Sequence, residues 1–255
     1  TEPNPSGARF TGPAAAGTLF QKMSGMGGVN SDTGLTETNF WIPLQFWFCR
    51  NPGLALPLIA LQYHEVKVIL DHRIATAWTS AARQSLFCDY IYLDTDERRR
   101  FAQVSHEYLI EQVQEQSLTT NLSNDLNFNH PVKELIWTQA VSLTGVSGNG
   151  ATTSTAVGTA NYHLKLNGHD RFSARDYKYF TRTQVWQHHT GPGGLDSAAS
   201  GTTSGAMDDT IAVYSFALKP EEHQPSGTCN FSRIDNAQLV ATGTQRADLI
   251  FAVNY

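Results

Sequence analysis

The sequence predicts an all-β fold of the sandwich or jelly-roll type. Three observations predict it. Charged residues make up only 16% of the 255 residues, while Phe, Tyr and Trp number 13, 9 and 5, and aromatic side chains suit a pleated, half-buried surface. Apolar residues recur at every second position in several short segments, which is the strand period. Turn residues and runs of Gly, Ser, Thr and Ala separate these segments, and no heptad, solenoid period or long amphipathic helix appears.

Residues 1–38 read as loop, with one short helix near Thr18 to Met23. Phe40, Ile42, Leu44, Phe46 and Phe48 alternate along a first strand, with Trp41 and Trp47 on its other face. Pro43 lacks an N–H and marks an edge or a bulge there. Asn51-Pro52-Gly53 is a turn. A long strand follows from Leu58 to Leu70, its apolar phase slipping near His64-Glu65 as at a bulge. Phe87 to Leu93 is a third strand.

Asp94 to Phe101 is the most charged stretch, with Thr95 placed to cap a single helical turn; a domain junction falls here. Strands are then expected at Glu107–Gln114, Val132–Leu143, Tyr162–Leu166, Ile211–Leu218, Phe231–Asp235 and Leu249–Tyr255, with room for two more in 115–130 and 171–190. Asn167-Gly168 signals a type I′ turn. Thr144–Ala160 and Gly191–Gly205 read as long surface loops. A jelly roll uses eight strands. The part after residue 100 supplies nearly that number and the part before residue 97 only three, so the first barrel reads as cut and the chain as a piece of a longer product.

The formal net charge of −5 argues against a broad nucleic-acid face, which needs basic residues to displace counterions. No stretch resembles a signal peptide, and no apolar run approaches the roughly 20 residues that span a bilayer. Cys49, Cys88 and Cys229 form no CxxC pair, which disfavours a disulfide framework or zinc site and favours reduced, mostly buried thiols.

His64-Glu65 are adjacent strand positions that point to opposite faces, unsuited to one metal. His188-His189 lack ligands at fixed spacing, and no His-x-His supports a metal-dependent cupin. Cys229 near Asn230 reads as a packed small hydrophobe rather than a nucleophile. Asp94, Asp96 and Glu97 cancel the charge of Arg98-Arg99-Arg100. No catalytic, cofactor-binding or metal-binding residue is therefore expected. Asn121-Leu122-Ser123 and Asn230-Phe231-Ser232 match the N-glycosylation pattern, which makes Asn121 and Asn230 the candidate modification sites. An alternative reading is a carbohydrate-binding jelly roll, with Trp78, Trp137 and Trp186 stacking on sugars.

Six ordered stretches carry a more specific signal. They are Pro52-Gly53-Leu54-Ala55-Leu56-Pro57-Leu58-Ile59-Ala60-Leu61-Gln62-Tyr63-His64-Glu65-Val66; Asp89-Tyr90-Ile91-Tyr92-Leu93-Asp94-Thr95 with Glu97-Arg98 and Arg100-Phe101-Ala102; and His106-Glu107-Tyr108-Leu109-Ile110-Glu111-Gln112. Further on are Leu126-Asn127-Phe128-Asn129-His130-Pro131; Leu166-Asn167-Gly168 with Asp170-Arg171-Phe172; and Tyr214-Ser215-Phe216-Ala217-Leu218-Lys219-Pro220, continuing into Gln224 to Ala237.

In this order they resemble the major capsid protein family of algal viruses and other nucleocytoplasmic large DNA viruses, to which iridoviruses are related. The resemblance implies a double jelly roll of tandem eight-stranded antiparallel barrels, the first truncated at its N-terminus. Residues 1–97 would be the C-terminal part of the first barrel with a variable N-terminal loop, 98–103 a short helical junction and 104–255 the second barrel. It implies homotrimers of pseudo-hexagonal outline that tile an icosahedral shell and contact neighbouring capsomers, minor capsid proteins and penton proteins. It also implies an inner viral membrane nearby without a transmembrane segment, no direct contact with nucleic acid, a place in the virion after assembly in the host cytoplasm, and no enzymatic activity or cofactor.

Overall fold

The structure is a computed structural model that describes residues 41–70, 85–138, 160–190, 209, 211–243 and 247–255. The helix expected near Thr18–Met23, the small-residue stretches 144–159 and 191–205, and Trp78 lie outside the described residues. The chain divides into two compact units, Gln45–Leu109 and Thr1–Leu44 with Ile110–Tyr255.

Among the described residues before residue 97, none of the three expected strands is formed. Residues 41–46, 65–70 and 85–94 are irregular, 47–49 and 52–54 are 3-10 turns, and 58–64 is turn and bend rather than a bulged strand. A strand persists only where a partner supplies its ladder bonds, and no ladder occurs among these described residues. Local chemistry wins instead. Asn51 accepts from Gly53 N at 2.9 Å, and Pro52 opens the second turn. Phe46 and Phe48 stack at 5.2 Å. The charged stretch forms a nine-residue helix, α1 (Thr95–Gln103), longer than the single turn expected. Its N-cap is Asp94, not Thr95: the Asp94 carboxylate accepts from Glu97 N at 2.9 Å, and Thr95 is the first helical residue. Asp96 and Glu97 in the first turn and Arg100 in the last complement the helix dipole.

The described residues from Ile110 onward include ten strands in two sheets. They are β1 (Gln112–Ser117), β2 (Ser123–Asp125), β3 (Pro131–Thr138), β4 (Asn161–Leu166), β5 (His169–Asp170), β6 (Arg175–Asp176), β7 (Ile211–Ser215), β8 (Cys229–Asn230), β9 (Ala237–Thr242) and β10 (Leu249–Asn254). One sheet runs β1-β10-β3-β7 with β8 also on β3; the other runs β2-β9-β4-β5 with β6 also on β4. All the pairings are antiparallel, and one set is nested: β1 with β10, β2 with β9, β3 with β8 and β7, and β4 with β6 and β5, while β10–β3 and β9–β4 join these pairs side by side within each sheet. A long hairpin rolled on itself gives this order, and it is the jelly roll.

The segment expected as strand Phe231–Asp235 is a 3-10 turn (Phe231–Arg233) flanked by β8 and by the unforeseen β9. The strand expected at 107–114 begins five residues later, at Gln112, and runs to Ser117. Residues 171–190 supply the short β6 and then a π-helical turn (Tyr179–Thr183) running into α2 (Gln184–His188).

The core lies between the sheets. Trp137 on β3, Tyr162 on β4 and Phe180 on the π-turn pack at ring separations of 5.1–6.2 Å, joined by Leu135, Leu164, Leu239 and Ile250. Full burial of each such side chain contributes about 1.5–3 kcal/mol. The loop between β2 and β3 closes one end. Leu126 and Phe128 point into the core, while Gln116 and Gln114 of β1 bind the backbone of Asn127 and Asn129 with their side-chain amides. Asn167 and Gly168 both have positive φ, 51° and 79°, as a type I′ turn requires.

Candidate assembly surface

The outer faces of the two sheets differ in chemistry. Side chains alternate across a strand, so the register shows which residues share the outward face. On the β2-β9-β4 sheet, Asn161 lies opposite Thr242, His163 opposite Val240 and Lys165 opposite Gln238. Gln238 donates to Asp125 at 2.7 Å. Apart from Val240 this face is polar, as expected of a solvated antiparallel sheet.

On the β1-β10-β3-β7 sheet, Ile250 and Ala252 of β10 and Leu135 and Trp137 of β3 point inward to the core. Their outward neighbours are largely apolar, with Glu115, Ser117, Glu134, Thr138 and Ser215 among them. Phe251 lies opposite Ile136, which lies opposite Val213; Leu249 lies opposite Thr138, which lies opposite Ile211; Val253 lies opposite Val113. Val113 and Ile211 are 66% and 57% exposed, whereas Val213 is buried at 5%. Leu249-Ile250-Phe251-Ala252-Val253 is apolar without a break, the pattern of a strand meant to be covered on both faces.

One end of this face is ionic. Between Val132 and Glu134 the β3 register slips against β10, leaving Lys133 as the extra residue of a bulge. Its carbonyl accepts from both Phe216 N and Ala217 N. Its Nζ, only 1% exposed, lies 2.8 Å from Glu111 Oε1 and 5.5 Å over the Tyr255 ring. His223 Nδ1 is 3.5 Å from the same Glu111 oxygen. Beside them, His189 sits between two carboxylates. Its Nδ1 is 3.2 Å from Glu221 Oε1, and its Nε2 lies 3.1 Å from Glu134 Oε2, an ion-pair contact made off the hydrogen-bond axis. Glu221 also accepts from Thr190 N and Oγ1.

The Glu134 carboxylate is the main cause of a His189 pKa above its ordinary value; burial opposes the rise and Glu221 adds to it. Burial pushes Glu221 up, but the bonds from Thr190 and His189 outweigh it and leave its pKa lowered. Burial, with Glu111 and Glu134 nearby, raises Tyr255. Behind the face, Asp209 accepts from Thr181 Oγ1 and pairs with Arg182, and Gln184 Oε1 accepts from Ser215 N at 3.2 Å.

The residues singled out from sequence are dispersed. His64 lies in the turn of the other unit, and His188 Nδ1 bonds the Leu218 carbonyl. The structure brings His189 into the ionic end, which sequence reasoning did not foresee. Cys229 is half-buried on β8, and burial pushes its thiol up. Cys49 and Cys88 are free and exposed, contrary to the expectation of buried thiols, because the strands meant to bury them are not formed. Trp137 is 1% exposed and unavailable to a sugar, whereas Trp186 is 82% exposed on α2. Asn121 is exposed in the loop before β2; Asn230 is exposed, but its side chain accepts from Ser232 N. Among the described residues no three His, Cys, Asp or Glu side chains are grouped to hold a metal, and no helix is long and apolar enough to cross a membrane.

Comparison with known proteins matches this architecture. The family model for the large eukaryotic DNA virus major capsid protein matches residues 97–254, and that for the major capsid protein N-terminus matches residues 20–94. The major capsid protein of Pyramimonas orientalis virus is 52% identical, over 88% of this chain and 59% of its own length. That of Paramecium bursaria Chlorella virus 1 is 40% identical, over 84% and 56%. The chain thus spans a little over half the length of these two relatives. Among solved structures, the quasi-atomic model of the PBCV-1 virus capsid superposes with a TM-score of 0.62 at 32% identity, covering 85% of this chain and 67% of that one. The fold class is accordingly the double jelly roll. The chain belongs to the major capsid protein family of the large eukaryotic DNA viruses.

Proposed function

We propose that the protein is a structural shell component that assembles with copies of itself, as trimers of pseudo-hexagonal outline tiling an icosahedral capsid. The observation that carries this reading is the pair of family models, which together cover residues 20–94 and 97–254 in order. The apolar outer sheet face agrees with it, since a shell protein must bury surface against neighbours. The domain reading is a first jelly-roll portion over 1–97, a junction at 98–103 and a second barrel over 104–255. The position of α1 and the gap between the two family models support it.

On this reading the protein is not an enzyme and takes no cofactor. Its partners are its own copies, minor capsid proteins and penton proteins, without direct nucleic-acid contact, in keeping with the net charge of −5. It acts in the virion, near an inner membrane it does not cross, after assembly in the host cytoplasm. Of the two sequons, Asn121 is the better acceptor, because the Asn230 side chain caps the following turn; peptide mass spectrometry of virion protein should find any glycan at Asn121 and none at Asn230. The test of the main reading is light scattering of the virion-derived protein. Trimers are expected, and a monomer with saturable sugar binding would overturn the reading.

A further inference from the structure

We propose that His189 is a proton-operated clasp, which fastens two connecting loops to the ionic end of the barrel in mild acid and lets them go as pH rises. The inference goes beyond the shell reading and does not depend on it. It starts from the shortage of positive charge among the carboxylates there. Glu111, Glu134 and Glu221 stand against one lysine, Lys133. Protonation of both His189 and His223 brings the cluster to neutrality. Glu111 already has Lys133 at 2.8 Å, so the shortage falls on Glu134.

The geometry at His189 makes the proton necessary. The ring lies between two carboxylates, with Nδ1 3.2 Å from Glu221 and Nε2 3.1 Å from Glu134. A neutral imidazole has one N–H and the imidazolium two, so only the cation serves both. Glu221 has other donors, Thr190 N and Oγ1 at 3.1 and 2.7 Å. Glu134 Oε2 is buried without a hydrogen bond, as is the His189 Nε2 that faces it. A neutral ring with its proton on Nδ1 would turn a lone pair toward that buried charge. The Glu134 carboxylate is also the main cause of the raised His189 pKa, which burial opposes and Glu221 supports.

The contacts divide into those that need the proton and those that do not. Glu221 to Thr190, and His188 Nδ1 to the Leu218 carbonyl at 3.0 Å, tie the segment after α2 to the 218–224 loop. These bonds survive with neutral histidines. The His189–Glu134 contact ties the pair of loops to β3, and His223, 3.5 Å from Glu111, adds a second tie of the same sign. Both attractions are lost with the histidine charge. Pro220 is buried, and Lys219 N donates to Ser226 Oγ at 2.9 Å. The base of the loop therefore holds while residues 221–224 move with Thr190. Lys219 pairs with Glu222 inside the loop at 3.0 Å and takes no part in the clasp.

The test is NMR relaxation of the backbone amides of the full chain between about pH 6 and about pH 8, the range in which histidine titrates. Order parameters at Thr190 and at residues 221–224 should stand near the rigid-backbone value of about 0.85 at the acid end and fall below about 0.6 at the alkaline end. Those of β3 and β10 should stay high throughout. Two variants act in opposite directions. His189→Gln has no charge to gain, so the loops should be mobile at both ends of the range. Glu134→Gln removes the buried charge and offers an N–H to the neutral ring, so they should stay rigid at both. Loops equally rigid at both ends in the wild type, or looser in acid, would overturn the proposal. So would a Glu134→Gln variant that keeps the wild-type pH dependence, a result that counts even where His189→Gln does not fold.

Discussion

Lys133 and Glu111 are each almost wholly withdrawn from water, at 1% and 6% side-chain exposure. Charges so buried hold each other in place, and removing one strands the other. Glu111→Ala should destabilise the barrel by about 3–5 kcal/mol, whereas Glu111→Leu with Lys133→Met should cost far less; urea denaturation of the single and double variants checks this. His189 makes the same cluster sensitive to pH. Its folded pKa is raised, so the stability it contributes is fully present below the ordinary value of 6.5 and is lost as pH rises through the folded value. Glu221 has a lowered pKa, so its share is present above the ordinary 4.5 and is lost as pH falls through the folded value. The bridge is thus strongest between the two. The stability difference between wild type and His189→Gln should be largest near pH 6 and should shrink toward pH 8; a difference that grows with pH would refute the bridge.

At the scale of elements, the π-turn and α2 go against local preference. Tyr177, Tyr179, Phe180, Thr181, Thr183, Val185 and Trp186 are strand formers, yet the segment is helical because Phe180 is locked between Trp137, Tyr162 and Phe172. Phe180→Ala should therefore cost about 3–5 kcal/mol and loosen this turn first, which hydrogen exchange of residues 179–188 would report. Gly227 is a second such point. Its φ is +140°, and a Cβ there would lie 2.9 Å from the Phe216 carbonyl oxygen; Gly227→Ala should lower the melting temperature through strain at the β7–β8 connection. The strands of the barrel were legible where periodicity was strong, as at Tyr162–Leu166 and Leu249–Asn254. They were not legible where side chains replaced the ladder, as Gln114 and Gln116 do for the loop after β2, or where a partner decides the outcome, as at Phe40–Phe48. The apolar face was present in the unbroken run 249–253. The ionic end was hinted at only by Lys133-Glu134 inside an apolar strand, since its other members come from distant loops.

At the scale of the molecule, the nested pairing makes the residues from Ile110 onward a barrel with a continuous core. Residues 104–255 expressed alone should give a single cooperative thermal transition; a broad, non-cooperative melt would show that the core needs the preceding unit. The same nesting imposes an order in time. β10 lies between β1 and β3, so β1 has no neighbour in its sheet until roughly 130 further residues have been made. At about 5–20 residues per second, β1 waits on the order of ten seconds on the ribosome with both edges open. Every nascent copy on a crowded polysome carries the same unsatisfied strand, and an identical strand is an available wrong partner. On the proposed shell role the protein is made in large quantity, is most vulnerable before its own final strand emerges, and its yield should depend on chaperones that hold the early strands apart.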